Sequence, residues 1–375
     1  VASIHLSQGK RKAANINITQ ALVFSAILIL IMSALCFYFV EPLGRFLGSS
    51  DKLLPYVIEY MSWYVPFLVF YEILNIGMFY IRLDGSPNYA MMCNATAAIL
   101  NILLNYIFIF EFGWGMMGAA FATSLGTVVG GLMTLVYLMH YSHDLRLYRI
   151  KLSRKSLRMT FRNIGYMVKL GNSAFVSEAS IACMMFLGNY VFIRNLGEDG
   201  VAAFSIVCYF FPIIFMVYNA IAQSAQPIIS YNFGAGQPER IRKALRLSLR
   251  TALICGICFF ILTTLCCRNI VALFIDRSYS AFDIAVNGIP YFGIGFIFFA
   301  INMIGIGYYQ SIERGQRATI ITLLRGVVFM LIGFFVLPPI LGVPGIWLAV
   351  PSAELLTTLY IIGIYFKDRF IVRRR

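Results

Sequence analysis

Long apolar runs separated by short polar breaks occupy almost the whole chain. The runs are continuous rather than alternating, which predicts helices and not strands, and each approaches the roughly 20 residues that a bilayer-spanning helix needs. Read this way, the chain holds ten spans, at about 18–40, 53–81, 88–110, 116–140, 166–193, 200–230, 241–266, 283–311, 317–338 and 344–366. The predicted fold class is an all-α membrane protein. Ten spans put both chain ends on the same side.

Composition agrees and removes the soluble classes: 60% of residues are hydrophobic and only 12% charged. The net charge of +14 is distributed in alternate breaks. Lys10, Arg11 and Lys12 begin the chain, "HDLRLYRIKLSRKSLRMTFRNIGYMVK" and "ERIRKALRLSLR" follow, and the end reads "KDRFIVRRR". The breaks between them, "EFGWGMMG", "NLGEDG" and "LPPILGVPG", are poor in Lys and Arg. That alternation makes the basic side cytoplasmic and places both ends there, in the inner (cytoplasmic) membrane of the cell. A nucleic-acid role would need a basic face on a soluble domain and is not expected.

The chain also echoes itself. Shifted by 227 residues, Gly9 falls on Gly236, Tyr64 on Tyr291, Asn75 on Asn302 and Gly118 on Gly345. Gly85 pairs with Gly315 only if the first copy carries three extra residues before Gly118. Two copies with even helix numbers imply a parallel repeat, a known transporter architecture. The organisation expected is a first lobe at 1–140, a basic cytoplasmic connector at 141–165 and a second lobe at 166–375. The helices at 166–193 and 200–230 have no counterpart under the shift, so about 60 residues, two helices, are expected ahead of Val1 in a twelve-helix parent.

Four stretches carry a family resemblance: "QPIISYNFGAGQPERIRKA", "LDGSPNYAM" with "ILNILLNYIFIFEFGWGMMGAAFATS", "GNSAFVSEASIACMMFLGN" and "LGVPGIWLAVPSAELL". With these the chain resembles the MATE (multidrug and toxic compound extrusion) transporters over essentially its whole length. The resemblance implies two six-helix lobes around a central cavity and export of organic cations in exchange for Na⁺ or H⁺. On that reading the chain needs no resident cofactor, takes small organic cations and membrane lipid as partners, and acts as a monomer.

Ionisable groups inside spans are costly and are functional candidates by default. Glu178, Glu354 and Glu72 qualify as ion-coupling acids; family members often carry an acid in the helix of Glu178. Asn94, Asn101 and Asn105 form a polar stripe on one helix face. In some relatives the positions matching Asn101 and Asn105 are Asn and Asp, and with a Thr matching Thr123 they belong to a cation site. Here the second is Asn, so cation binding and interhelical hydrogen bonding remain equal alternatives. Asn75 and Asn302 join the polar candidates, and Arg325 is expected to snorkel to the headgroups. Gln226, Pro227, Gly234 and Gly236 suggest a hinge, since proline removes a backbone donor and glycine permits a tight turn.

Other chemistries lack their signatures. Cys255 and Cys258 have CxxC spacing but no second ligand pair, and His5, His140 and His143 all lie near polar breaks, so neither a metal site nor a histidine relay is expected. No HExxH, GxSxG or P-loop motif appears. A lipid-linked precursor flippase remains the alternative within transport, and a membrane-embedded enzyme the one outside it.

Overall fold

The structure is a computed structural model that describes residues 1–46, 49, 51–148 and 154–373. Among the described residues all regular structure is helical. The chain divides into two compact units, Val1–Gly165 and Tyr166–Arg375.

The first unit begins with α1 (Ala2–Ser7), α2 (Arg11–Tyr38) and the short α3 (Val40–Phe46). Then come α4 (Leu54–Tyr64) and α5 (Leu68–Leu83), joined by a 3₁₀ turn at Val65–Phe67 that contains Pro66. Next are α6 (Pro87–Tyr106) and α7 (Gly115–Val136), each ending in a π-helical turn, Ile107–Glu111 and Tyr137–Tyr141. Leu22, Ile73, Leu74, Ile81, Cys93 and Tyr137 form its core. The outer face of α2 leaves Ile27, Leu28, Ile31 and Met32 about half exposed, as a lipid-facing surface requires.

Helix α8 runs from Arg154 to Gly234. At about 1.5 Å per residue, 81 residues would be some 120 Å long, about four bilayer cores. Gly197, with φ at 67°, breaks the helical backbone and divides α8 into two arms, 154–196 and 198–234. The second unit continues with α9 (Pro238–Leu265), α10 (Cys267–Ala272), α11 (Ser280–Gly293) and α12 (Gly295–Ser311). It closes with α13 (Gly315–Leu323), a π-helical turn at Leu324–Val328, α14 (Phe329–Leu341) and α15 (Val343–Arg373). Trp347 is fully buried in its core, against Phe192 and the bare face of Gly288. Among the described residues, by length and apolarity, eight helices can cross a membrane, or nine when α11 and α12, bent by 42°, are taken as one span; α8 counts once in that number although Gly197 divides it.

The internal echo is visible in hydrogen bonds. At the α1–α2 turn Gly9 N–H donates to Leu6 O and Lys10 N–H to His5 O; at the α8–α9 turn Gly236 donates to Phe233 O and Gln237 to Asn232 O. Both glycines are left-handed, with φ of 72° and 66°. The next turn corrects the expected pairing. Gly85 (φ 90°) corresponds to Glu313 (φ 59°), not to Gly315: Gly85 and Ser86 donate to Arg82 O and Ile81 O as Glu313 and Arg314 donate to Gln310 O and Tyr309 O. The offset is then 228 and no three-residue insertion is needed. Gly315 instead opens α13 against Leu170.

Within the segment expected as a connector, 141–165, α8 is already helical from Arg154; residues 149–153 lie outside the described set. Residues 142–148 are strapped to the first unit. The buried Asp84 carboxylate accepts the backbone N–H groups of His143, Asp144 and Leu145 at 2.7–2.8 Å and the Tyr137 hydroxyl at 2.9 Å. Asn15 and Thr19 accept the N–H groups of Arg146 and Tyr148, and Arg11 pairs with Asp144 at 2.9 Å. Three backbone donors just past a helix end need acceptors, and the α5–α6 turn supplies a charged one.

Candidate functional site

The π turn at Leu324–Val328 places one extra residue in its helical path, and such turns recur at functional sites. It carries Arg325 inward, where 4% of the residue is exposed, against an equally buried Glu354 on α15. Arg325 Nε lies 3.2 Å from Glu354 Oε1, within ion-pair range although the N–H is not aligned on the oxygen. The other carboxylate oxygen accepts Asn302 Nδ2 from α12 at 2.6 Å, and Thr358 donates to Asn302 Oδ1 at 3.0 Å. The guanidinium lies 4.6 Å over the Phe299 ring and 3.1 Å from Met303 Sδ. Gly326 allows this turn to meet Ser180 on the first arm of α8.

Burying a charge costs several kcal/mol unless it is paired and hydrogen-bonded. Here each carboxylate oxygen has a partner, while guanidinium donors remain to face a small cavity bordered by Ser180, Met184, Phe211 and Glu354. Its free space suffices for about one water molecule.

Of the expected coupling acids, the structure joins only Glu354 to a buried network. Glu178 lies on an exposed face of α8, with no hydrogen bond or ion pair among the described residues. Glu72 is half-buried on α5 and likewise has no bonded partner among the described residues. Asn75 does not join it, because its amide donates back to Tyr71 O at 2.8 Å. Asn101 and Thr123 do meet: Asn101 Nδ2 donates to Thr123 Oγ1 at 2.9 Å, bridging α6 and α7. Asn105 Oδ1 is buried and accepts no hydrogen bond among the described residues.

The proposed hinge is partly tied down. Gln226 Nε2 donates to Gln310 Oε1 at 2.6 Å, and Gln310 Nε2 to Ser173 Oγ at 2.8 Å, which links both arms of α8 to α12. The helix continues past Pro227 to Gly234, its last residue; only Gly236 takes the left-handed turn. Sequence reasoning misplaced Arg325, which is buried rather than snorkelling. The signal was present: an Arg and a Glu deep in neighbouring apolar helices have each other as the cheapest partner.

Comparison with known proteins follows the same outline. The MatE family model matches residues 1–107 and 173–342. The chain belongs to the MatE family. Among relatives of this MatE protein, an FAD transporter of Shewanella oneidensis is 28% identical over 363 residues, 94% of this chain and 77% of the relative. The multidrug export protein MepA of Staphylococcus aureus is 25% identical over 359 residues, covering 92% and 74%. The fold matches an outward-facing multidrug resistance MATE transporter with a TM-score of 0.89 at 20% identity, over 100% of this chain and 83% of that one. A MOP superfamily transporter from Pyrococcus furiosus matches at 0.88 and 20%, over 100% and 82%. As a MatE member the chain is a multi-pass membrane transporter and not an enzyme.

Proposed function

We propose that this MatE protein is a monomeric secondary antiporter of the inner membrane, with both described ends cytoplasmic, that exports organic cations in exchange for H⁺ or Na⁺. The observation that carries the proposal is Glu178: an acid within a spanning helix, exposed and without a bonded partner among the described residues. Such a carboxylate is free to exchange a proton or cation against cargo, whereas Glu354 is already held by Arg325 and Asn302. Glu72 in the first unit is the secondary acid. Likeness to a multidrug export protein supports the cargo class.

In proteoliposomes, with Na⁺ and pH gradients imposed separately, wild-type protein is expected to move an aromatic cation such as ethidium against one of them. Glu178→Gln keeps shape and removes titration, so it should abolish coupled exchange with the protein still folded. Normal exchange by Glu178→Gln would remove the coupling role. A flavin nucleotide cargo is the second reading, supported by the 28% identical FAD transporter. Uptake of FAD, and not ethidium, by the same vesicles would select it.

A further inference from the structure

Helices α9, α12 and α15 border a groove of about 600 Å³ on the second unit. One wall carries Arg242, Arg246 and Arg250, whose four-residue spacing makes a row about 12 Å long on one face of α9. All three are exposed, and none has an ion pair or hydrogen-bonded side chain among the described residues. The floor is apolar, with Leu253, Ile301 and Ile361. Beyond Arg250, α9 runs to Leu265 without another charged residue, some 22 Å of apolar helix. The arginine row therefore lies where the headgroup layer meets the hydrocarbon. Tyr308 and Tyr365, rings 6.3 Å apart, stand at the same level, where aromatic side chains collect at membrane interfaces.

We propose that this groove holds an anionic phospholipid from the leaflet on the basic side of the membrane. Its phosphate would lie on the arginine row and an acyl chain on the apolar floor. Three like charges on successive turns repel one another unless an anion sits between them. Guanidinium forks match phosphate oxygens bidentately, which a zwitterion's compensated charge rewards less. The floor requires hydrocarbon, and a phospholipid supplies both parts in one molecule. A second copy of this chain would bring another positive row, and the basic end of α15 the same sign.

The test is native mass spectrometry of the purified protein after equilibration in micelles containing equal phosphatidylglycerol and phosphatidylcholine. Wild type should retain phosphatidylglycerol at least tenfold over phosphatidylcholine, and Arg242→Gln/Arg246→Gln/Arg250→Gln should lose that preference. Leu253→Trp fills the floor and keeps every charge; it should also lower phosphatidylglycerol retention severalfold. The triple Lys variant keeps the charge without the fork and should fall between wild type and triple Gln, which leaves a reading if triple Gln does not fold. Equal retention of the two lipids by wild type would overturn the proposal, as would unchanged retention in triple Gln. Displacement by millimolar inorganic phosphate, with Leu253→Trp unaffected, would make the site a simple anion site. A dimer mass that rises as lipid is removed would assign the groove to a second copy.

Discussion

The two units share a frame and fill its centre differently. At offsets of 227 to 228 residues their turns match, α3 begins at Val40 and α10 at Cys267, and the Val65–Phe67 turn corresponds in sequence to the α11–α12 bend. Yet the position of Arg325 falls on Ala97 or Ala98, and that of Glu354 on Gly126 or Thr127. Where the second unit buries an ion pair, the first brings backbones together: a Cβ on Gly126 would lie 2.6 Å from Ala97 O. Small residues permit close helix approach in the membrane, and polar side chains bind helices through hydrogen bonds. One fold can use either device, close backbone approach in the first unit and a buried ion pair in the second.

The largest expected effect breaks that difference. Arg325→Leu leaves Glu354 buried without its cation and should destabilise the second unit by about 3–5 kcal/mol. Arg325→Met with Glu354→Leu removes both charges and should recover most of the loss. Thermal unfolding of the purified variants decides it: a single variant as stable as wild type would mean that the pair carries little structural weight.

Next comes the strap peculiar to the first unit. The counterpart of Asp84 at offset 228 is Ile312, buried and apolar, so the second unit has no such carboxylate at this turn. Asp84→Asn substitutes a neutral amide, half of it a donor, for an acceptor of four hydrogen bonds. A local loss of about 2–3 kcal/mol is expected, given the strength of bonds to charged groups. Amide exchange at His143, Asp144 and Leu145 should speed up while the second unit's protection is unchanged. Gly126→Ala probes the close approach itself, and overpacking there should cost about 1–3 kcal/mol in the first unit.

Apolar continuity made the helices legible in the sequence. The glycine echo revealed the repeat because left-handed turns need Gly, as Gly9 and Gly236 show. The same rule misled at Gly85, since its partner Glu313 takes the left-handed conformation without being glycine, while a glycine, Gly315, lies two residues on. Of the polar candidates, Asn302 with Glu354 and Asn101 with Thr123 are brought together; Glu72 and Asn75 are not. The pairing of Arg325 with Glu354 depends on an inserted residue at a π turn, which periodicity does not announce. Asp84 was not legible as a structural residue, because its donors come from backbone some 60 residues later.

The smallest expected effect sharpens the comparison at that mismatched turn. Gly85 and Glu313 hold equivalent left-handed positions, a conformation that is free for glycine and costs other L-residues roughly 1–2 kcal/mol. A Cβ on Gly85 meets nothing within 4 Å, so Gly85→Ala changes conformational cost and not packing. It should destabilise the first unit by about 1 kcal/mol. Glu313→Gly removes that cost from the second unit but also removes a carboxylate neighbouring the Tyr166 hydroxyl. Glu313→Asn separates the two, because asparagine tolerates the left-handed region and keeps a polar group there. If backbone strain dominates, Glu313→Gly raises the second unit's stability by up to about 1 kcal/mol and Glu313→Asn by less. If the contact with Tyr166 dominates, Glu313→Gly lowers stability and Tyr166→Phe lowers it as well. Chemical unfolding followed separately in each unit by hydrogen exchange reads the sign, and the sign says whether the second copy of this turn tolerates a strained residue or uses it.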